Sequence, residues 1–354
     1  MAGMLFFRTL GCIKQPVMTT CIKSIKPLGF QWETNNPFLF CVHHKDAYPR
    51  GTEEMGPDAP LAGRSIGHDF VPKDGWRMYH GKKIPGFPVH PHRGFETITI
   101  VREGMVDHAD SLGAAGRYGG GDVQWMTAGA GIQHTEMFPL LNMDEENPLE
   151  LFQIWLNLPK ADKFVDPYYT MFWKEDIPVV SFPDSREKLT DVTLIAGTLD
   201  TRHAPSPPPD SWAADEKNEV AIWLIRMDGE AIWELPKPSK ETERTLYFYQ
   251  GDSLRLNGEE IPAYQAAHLH TGCNVEMENG KEPAYLLYLQ GNPIRETVMQ
   301  YGPFVMNSKQ EIQQAFADYR ETQFGGWPWT RSDQVHDRNR GRFARYADGR
   351  EEEK

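Results

Sequence analysis

Between residues 30 and 160 the chain repeats one pattern. Short runs rich in Phe, Ile, Val, Thr and Trp alternate with clusters of Gly, Pro and Asp. The runs include NPFLFCVHH, FETITIV, DVQWMTAG and LELFQIWLNL; the breaks include PRGTEEMGPDAP and GAAGRYGGGD. Short β-branched and aromatic runs bounded by turn formers predict strands, and many in succession predict an all-β barrel or sandwich. LPKADKFVDPYY then reads as a linker. The strand pattern resumes with VTLIAG, EVAIWLIRM, EAIWELP, RTLYFYQG, AYQAAHL, NVEME and AYLLYLQG. Between the first two of these, TRHAPSPPPDSWAADEKN is too rich in Pro and Ser to hold a packed strand. Two β-rich halves of similar size result, with no repeat at a fixed period. Ser308 and Glu311 have the spacing of a capping box, and Ile312, Phe316 and Tyr319 recur at helical spacing, so one short helix follows. The charged sequence beyond Trp329 predicts an extended, partly disordered tail.

The 354 residues are 40% hydrophobic, enough to fill two cores. The balance of 37 basic against 50 acidic residues gives a net charge of -13. That argues against direct nucleic-acid binding, which needs a basic face. No apolar run approaches the ~18 residues that suggest a membrane-spanning helix. Cys12, Cys21, Cys41 and Cys273 form no C-x-x-C pair and read as reduced thiols of an intracellular chain. The first acidic residue is Glu33, after Arg8, Lys14, Lys23 and Lys26. A basic, acid-poor start has transit-peptide composition, so residues 1–29 read as a leader, either non-structural or targeting.

The candidate chemistry lies in GFPVHPHRGFETITI and GGGDVQWMTAGAGIQHTEMFP. His90 and His92 are two apart, as are His134 and Glu136, so on strands each pair shares a face. Glu96 joins the first pair if that strand is unbroken. Residues 93–133 are enough for a few strands and turns to bring the two pairs together. Three imidazoles and a carboxylate inside a barrel suit Fe(II), Mn, Ni, Cu or Zn. Other motifs are weaker. His268 and His270 repeat the H-x-H spacing, but no histidine follows until His336. His43 and His44 are adjacent, hence on opposite strand faces, and read as surface or turn residues. His108 and Asp110 read as a solvated turn. GAGIQH lacks the third glycine of a dinucleotide fingerprint.

HPHRGFET, GDVQWMTAGAGIQHTEM and, later, GPFVMN resemble the pirin family over roughly residues 30–320. The resemblance implies an all-β fold of two cupin domains, each a double-stranded β-helix or jelly roll, with a short C-terminal helix. The divisions are 1–29 leader, 30–160 metal-binding cupin, 161–306 cupin without metal, and 307–354 helix and charged tail. It implies one metal per chain, iron first, held by His90, His92, His134 and Glu136. The general cupin pattern would place Glu96 on the metal; the pirin pattern favours Glu136 and leaves Glu96 to orient an imidazole. Two functions follow from the resemblance. One is a quercetin 2,3-dioxygenase-like oxidoreductase acting on a flavonol or phenol with O2, with Glu136 as catalytic base and Trp125, Met126, Phe95 and Phe138 lining the pocket. The other is an iron-dependent regulator that binds protein partners such as transcription factors. We expect a cytoplasmic monomer; the alternatives are organelle targeting through the leader, or a nuclear regulator.

Overall fold

The computed structural model describes residues 21–239 and 241–354. It is built almost wholly of antiparallel strands, with one helix of 14 residues, Lys309–Thr322. Two sandwiches stand side by side. In the first, a sheet ordered Tyr168–Phe172, Val123–Thr127, Phe95–Glu103, Asn147–Asn157, Phe38–Tyr48, Gln31–Trp32 faces a sheet containing Ala115–Gly119, Met105–Asp110, Ile132–Met137 and Gly86–His92. The second repeats the plan. Gln265–Leu269, Glu243–Gln250, Ala284–Gly291 and Ala221–Met227 form the core of its large sheet, opposite Ile232–Leu235, Val275–Asn279, Ser253–Leu256 and Glu259–Pro262.

The two-residue alternation explains how the halves join. Along Phe95–Glu103, Ile98 and Ile100 leave the first barrel and pack with Trp32, Trp125, Phe152 and Ile154 against Ile222, Tyr247, Leu287 and Leu289 of the second. The odd-numbered residues of the same strand face inward, where Thr99 reaches the site described below. Each fully buried Ile, Leu or Phe on this seam contributes roughly 1.5–3 kcal/mol, so the large sheets form one continuous core.

The ends of the chain depart from the sequence reading. Residues 1–20 lie outside the described residues, but the part of the expected leader at Ile22–Pro27 is a strand beside Gln265–Leu269 of the second barrel. That pairing carries Cys21 to Cys273, and the structure joins them in a disulfide, so these two are not the free thiols expected. Cys41 is a free, buried thiol, and Cys12 lies outside the described residues. Residues 168–172, grouped on sequence with the second domain, edge the first sheet through Val123–Thr127. The helix begins at the expected cap, where Ser308 Oγ accepts from Glu311 N at 3.2 Å. The charged tail is folded: Phe343–Arg345 pairs with Ala115–Gly119 and then with Glu351–Glu353. Its anchor is Arg117, which is buried and pairs with Asp107 while donating to the carbonyls of His336, Asp337, Arg338 and Arg340. Charge alone made this segment look disordered; a buried guanidinium with matching acceptors orders it.

Candidate metal centre

Strands Gly86–His92 and Ile132–Met137 pair antiparallel, with His90 opposite His134 and Phe87 opposite Glu136. A register shift falls between Phe87 and His90. Glycines open and close this segment because the chain leaves no room for a side chain. Gly86 has φ +125° and a Cβ there would lie 2.4 Å from Glu136 O; Gly94 has φ +85° and its Cβ would lie 2.1 Å from Val305 O. The imidazoles of His90, His92 and His134 converge, with ring centroids 4.5–4.9 Å apart. One ligand nitrogen from each lies within 4.8 Å of the others. Glu136 Oε2 stands 3.8 Å from His134 Nε2. Two atoms each ~2.1 Å from one ion are about 3.0 Å apart when cis and 4.2 Å when trans, so that distance fits a shared coordination sphere.

The electrostatics suit a ligand set. Burial pushes His90 down to about 4, and burial followed by the neighbouring imidazoles drives His92 and His134 well below the usual histidine range. All three are therefore neutral at pH 7, the form that binds metals. His90 Nδ1 donates to Pro88 O at 2.8 Å, which leaves its Nε2 as the lone-pair atom. Both ring nitrogens of His134 are buried without a hydrogen-bond partner among the described residues. A buried polar side chain ordinarily finds a partner; a cation at the meeting point of the three rings would supply one. Glu136 is raised by burial, opposed first by the hydrogen bond from Gln153, then by His108 and by Thr99. Gln153 Nε2 donates to Oε2 at 2.6 Å and Thr99 Oγ1 to Oε1 at 3.1 Å. The residues present fit a transition metal.

A cavity of about 580 Å³ opens over the imidazoles and reaches His90, His92, Glu136 and Gln153. Its walls are aromatic: Phe40, Phe87 and Trp155 from the barrel, Phe30 from the N-terminal segment and Phe70 from the loop of residues 49–85. That loop is held by Asp69, which accepts from Arg64 at 3.1 Å and Met78 N at 2.9 Å, and by the Tyr79–Asp46 hydrogen bond of 2.6 Å.

Comparison with known proteins bears on this geometry. The Pirin family model matches residues 31–156, and the Pirin C-terminal cupin domain model matches residues 222–325. Human Pirin is 35% identical over 260 residues, covering 70% of this chain and 80% of its own. A Pseudomonas aeruginosa protein that bears the name "Putative quercetin 2,3-dioxygenase" is 36% identical over 240 residues, covering 68% and 79%. The chain belongs to the pirin family. Its two barrels are the two cupins of that family. A solved structure, that of quercetin 2,3-dioxygenase from Acinetobacter baumannii, shares the fold with a TM-score of 0.68 at 24% identity, covering 86% of this chain and 98% of that one.

Several residues of this chain sit elsewhere than the sequence suggested. Glu96 touches no imidazole. The turn at Arg93–Gly94 breaks the strand and resets its parity, so Glu96 points at the second cupin. It accepts from Ser211 Oγ (2.6 Å), Thr127 Oγ1 (2.7 Å) and Trp125 Nε1 (3.2 Å). Trp125 lies in the inter-barrel core and Met126 in a small cluster with Ala128 and Ile132, so neither lines the cavity. Phe95 stands behind Trp155, stacked at 3.9 Å, and Phe138 sits edge-on to His44. His43 and His44 do face opposite ways, yet both are buried: His43 bonds Glu150 at 2.9 Å and His44 lines the cavity. His108 and Asp110 are fully buried, not a solvated turn, with Gln124 Nε2 3.0 Å from His108 Nδ1. Sequence reasoning missed Gln153. Its signal was an amide in the middle of the apolar run LELFQIWLNL. In the second barrel the positions facing inward from the corresponding strands are Trp233, Leu235, Val275 and Met277, and His268 instead meets Asn35 and Thr245.

Proposed function

We propose that His90, His92, His134 and Glu136 hold one transition metal ion, iron(II) foremost, and that the loaded chain cleaves a flavonol or related dihydroxylated aromatic with O2. The observation that carries this reading is the aromatic-walled cavity of about 580 Å³ that reaches His90, His92 and Glu136, beside the point where the imidazoles of His90, His92 and His134 converge. Its volume is within the ~300–1,000 Å³ of small-molecule sites. The metal, when bound, supplies Lewis acidity and an electron route to O2. The chain does the rest. Phe40, Phe87 and Trp155 flank a flat ring and keep water from it. The Glu136 carboxylate takes the proton of a substrate hydroxyl, and hydrogen bonds from Gln153 and Thr99 steady it while it does so. The names carried by several relatives support the same reaction class. The regulator alternative would use the same ligands, but it gives no role to an open apolar cavity above them.

Oxygen uptake decides between the two. The iron-loaded chain should consume O2 with quercetin or a simpler catechol, and Phe87→Ala should raise KM. Iron-loaded protein that consumes no O2 with any phenol tested, and binds none in a spectral titration, overturns the enzymatic reading.

A further inference from the structure

The described chain buries His43, His44, His92, His108, His134 and His268. His92 and His134 belong to the ligand set proposed above. His43 meets Glu150 at 2.9 Å, His108 meets Gln124 at 3.0 Å and His268 meets Asn35 at 2.9 Å. His44 is the exception. It lines the cavity that reaches His90, His92 and Glu136, and it is 3% exposed. Neither of its ring nitrogens has a hydrogen-bond partner among the described residues. Nδ1 is enclosed; Nε2 is not, and the space that reaches His44 is the cavity, so Nε2 is the atom open to a ligand. A buried imidazole ordinarily finds a partner, and the protein supplies none here.

Its neighbours fix the ring. Tyr79 stands edge-on at 4.9 Å, with Phe87 at 5.9 Å and Phe138 at 6.3 Å. Tyr79 is itself held by the 2.6 Å hydrogen bond to Asp46, two residues beyond His44 on the same strand. Phe40, Val42 and His44 follow one another at every second position of Phe38–Tyr48, and all three line the cavity. Val42 is opposite Gln153, whose amide donates to Glu136. His44 therefore stands two residues, or about 7 Å, along the strand from the level of that carboxylate. Burial, then Arg77 and His43, push His44 down to about 3, so the ring is neutral and offers no ion pair to a carboxylate. A neutral imidazole nitrogen donates in one tautomer and accepts in the other; a hydroxyl group serves either.

We propose that His44 Nε2 hydrogen-bonds a hydroxyl at the far end of the aromatic substrate, and so selects polyhydroxylated aromatics over those that carry only the metal-binding oxygens. The inference rests on the reaction proposed for the first cupin and names the part of the substrate that sets its specificity. A substrate without that hydroxyl leaves a buried imidazole unpaired, which is how a polar group in a pocket discriminates. Phe40, Phe87 and Trp155 meet the rings through apolar surface and make no such distinction.

Spectral titration of the iron-loaded full chain with quercetin and with 3-hydroxyflavone, which keeps the metal-chelating oxygens and lacks every other hydroxyl, tests this. Wild type should bind quercetin roughly tenfold more tightly, the worth of one hydrogen bond. His44→Phe keeps a ring among Tyr79, Phe87 and Phe138. It should weaken quercetin roughly tenfold and leave both 3-hydroxyflavone binding and iron content unchanged. His44→Gln, whose amide still meets a hydroxyl, should recover part of the preference, which a purely structural role would not predict. If His44→Phe does not fold, His44→Leu should lose the preference in the same way. Wild type that binds the two flavonols alike, or a Phe or Leu variant that keeps the preference, overturns this proposal and leaves the reaction standing. Wild type that binds neither overturns the reaction and this proposal with it.

Discussion

Glu96 offers a sharp test because it sits in the metal-binding motif yet touches no imidazole. Burial raises its pKa from 4.5 to about 7, opposed by the hydrogen bonds from Ser211, then Thr127, then Trp125. The native state therefore holds this proton more tightly than the unfolded chain does. Between pH 4.5 and 7 the folded group is protonated and the unfolded one is not, so stability falls as pH rises through that window and is level on either side of it. The two values lie about 2.5 pH units apart; at about 1.36 kcal/mol per unit the group costs ~3 kcal/mol of stability above pH 7. Glu96→Gln removes the titration while keeping an oxygen that can accept from Thr127 and Trp125. Urea unfolding of metal-free wild type and variant at pH 4.5, 6 and 8 reads the effect. The difference between them should shift by ~3 kcal/mol in favour of the variant from the lowest to the highest pH. Parallel stability curves would refute the reasoning, and loss of metal binding in Glu96→Gln would return Glu96 to the metal.

The other substitutions separate the metal, the base and the tail. Glu136→Gln keeps the size of the side chain and should lower turnover more than it lowers metal content; elemental analysis beside oxygen uptake measures both. Arg117→Leu strips a buried carboxylate of its partner and the tail of its anchor. It should cost ~3–5 kcal/mol, as broken buried ion pairs do, and should open residues 330–354 to trypsin; a tail as resistant as in wild type would contradict its anchoring role.

The grouping of His90, His92, His134 and Glu136 was legible because strands alternate sides every two residues, so H-x-H and H-x-E each had to present both side chains to one face. The same rule misled at Glu96, since one glycine turn shifts every later residue to the other side. Parity also foresaw that His43 and His44 diverge, but not that both are buried. Burial depends on Phe152 stacked on His43 at 4.5 Å and Tyr79 edge-on to His44 at 4.9 Å, contacts set by tertiary packing. The cavity walls were illegible for a similar reason. Phe30 and Phe70 arrive from segments that carry no strand signal, while Trp125 looked available only because the second barrel covering it could not be seen. The tail and the Cys21–Cys273 disulfide depend on which sheet edges stay open after the barrels form, and composition carries no trace of that.

The central claim is a single metal held by the first cupin. Full-length protein reconstituted anaerobically with Fe(II), freed of excess metal and submitted to elemental analysis should contain one iron per chain, and His134→Ala close to none. Two metals per chain, or His134→Ala that retains its iron, would contradict the account.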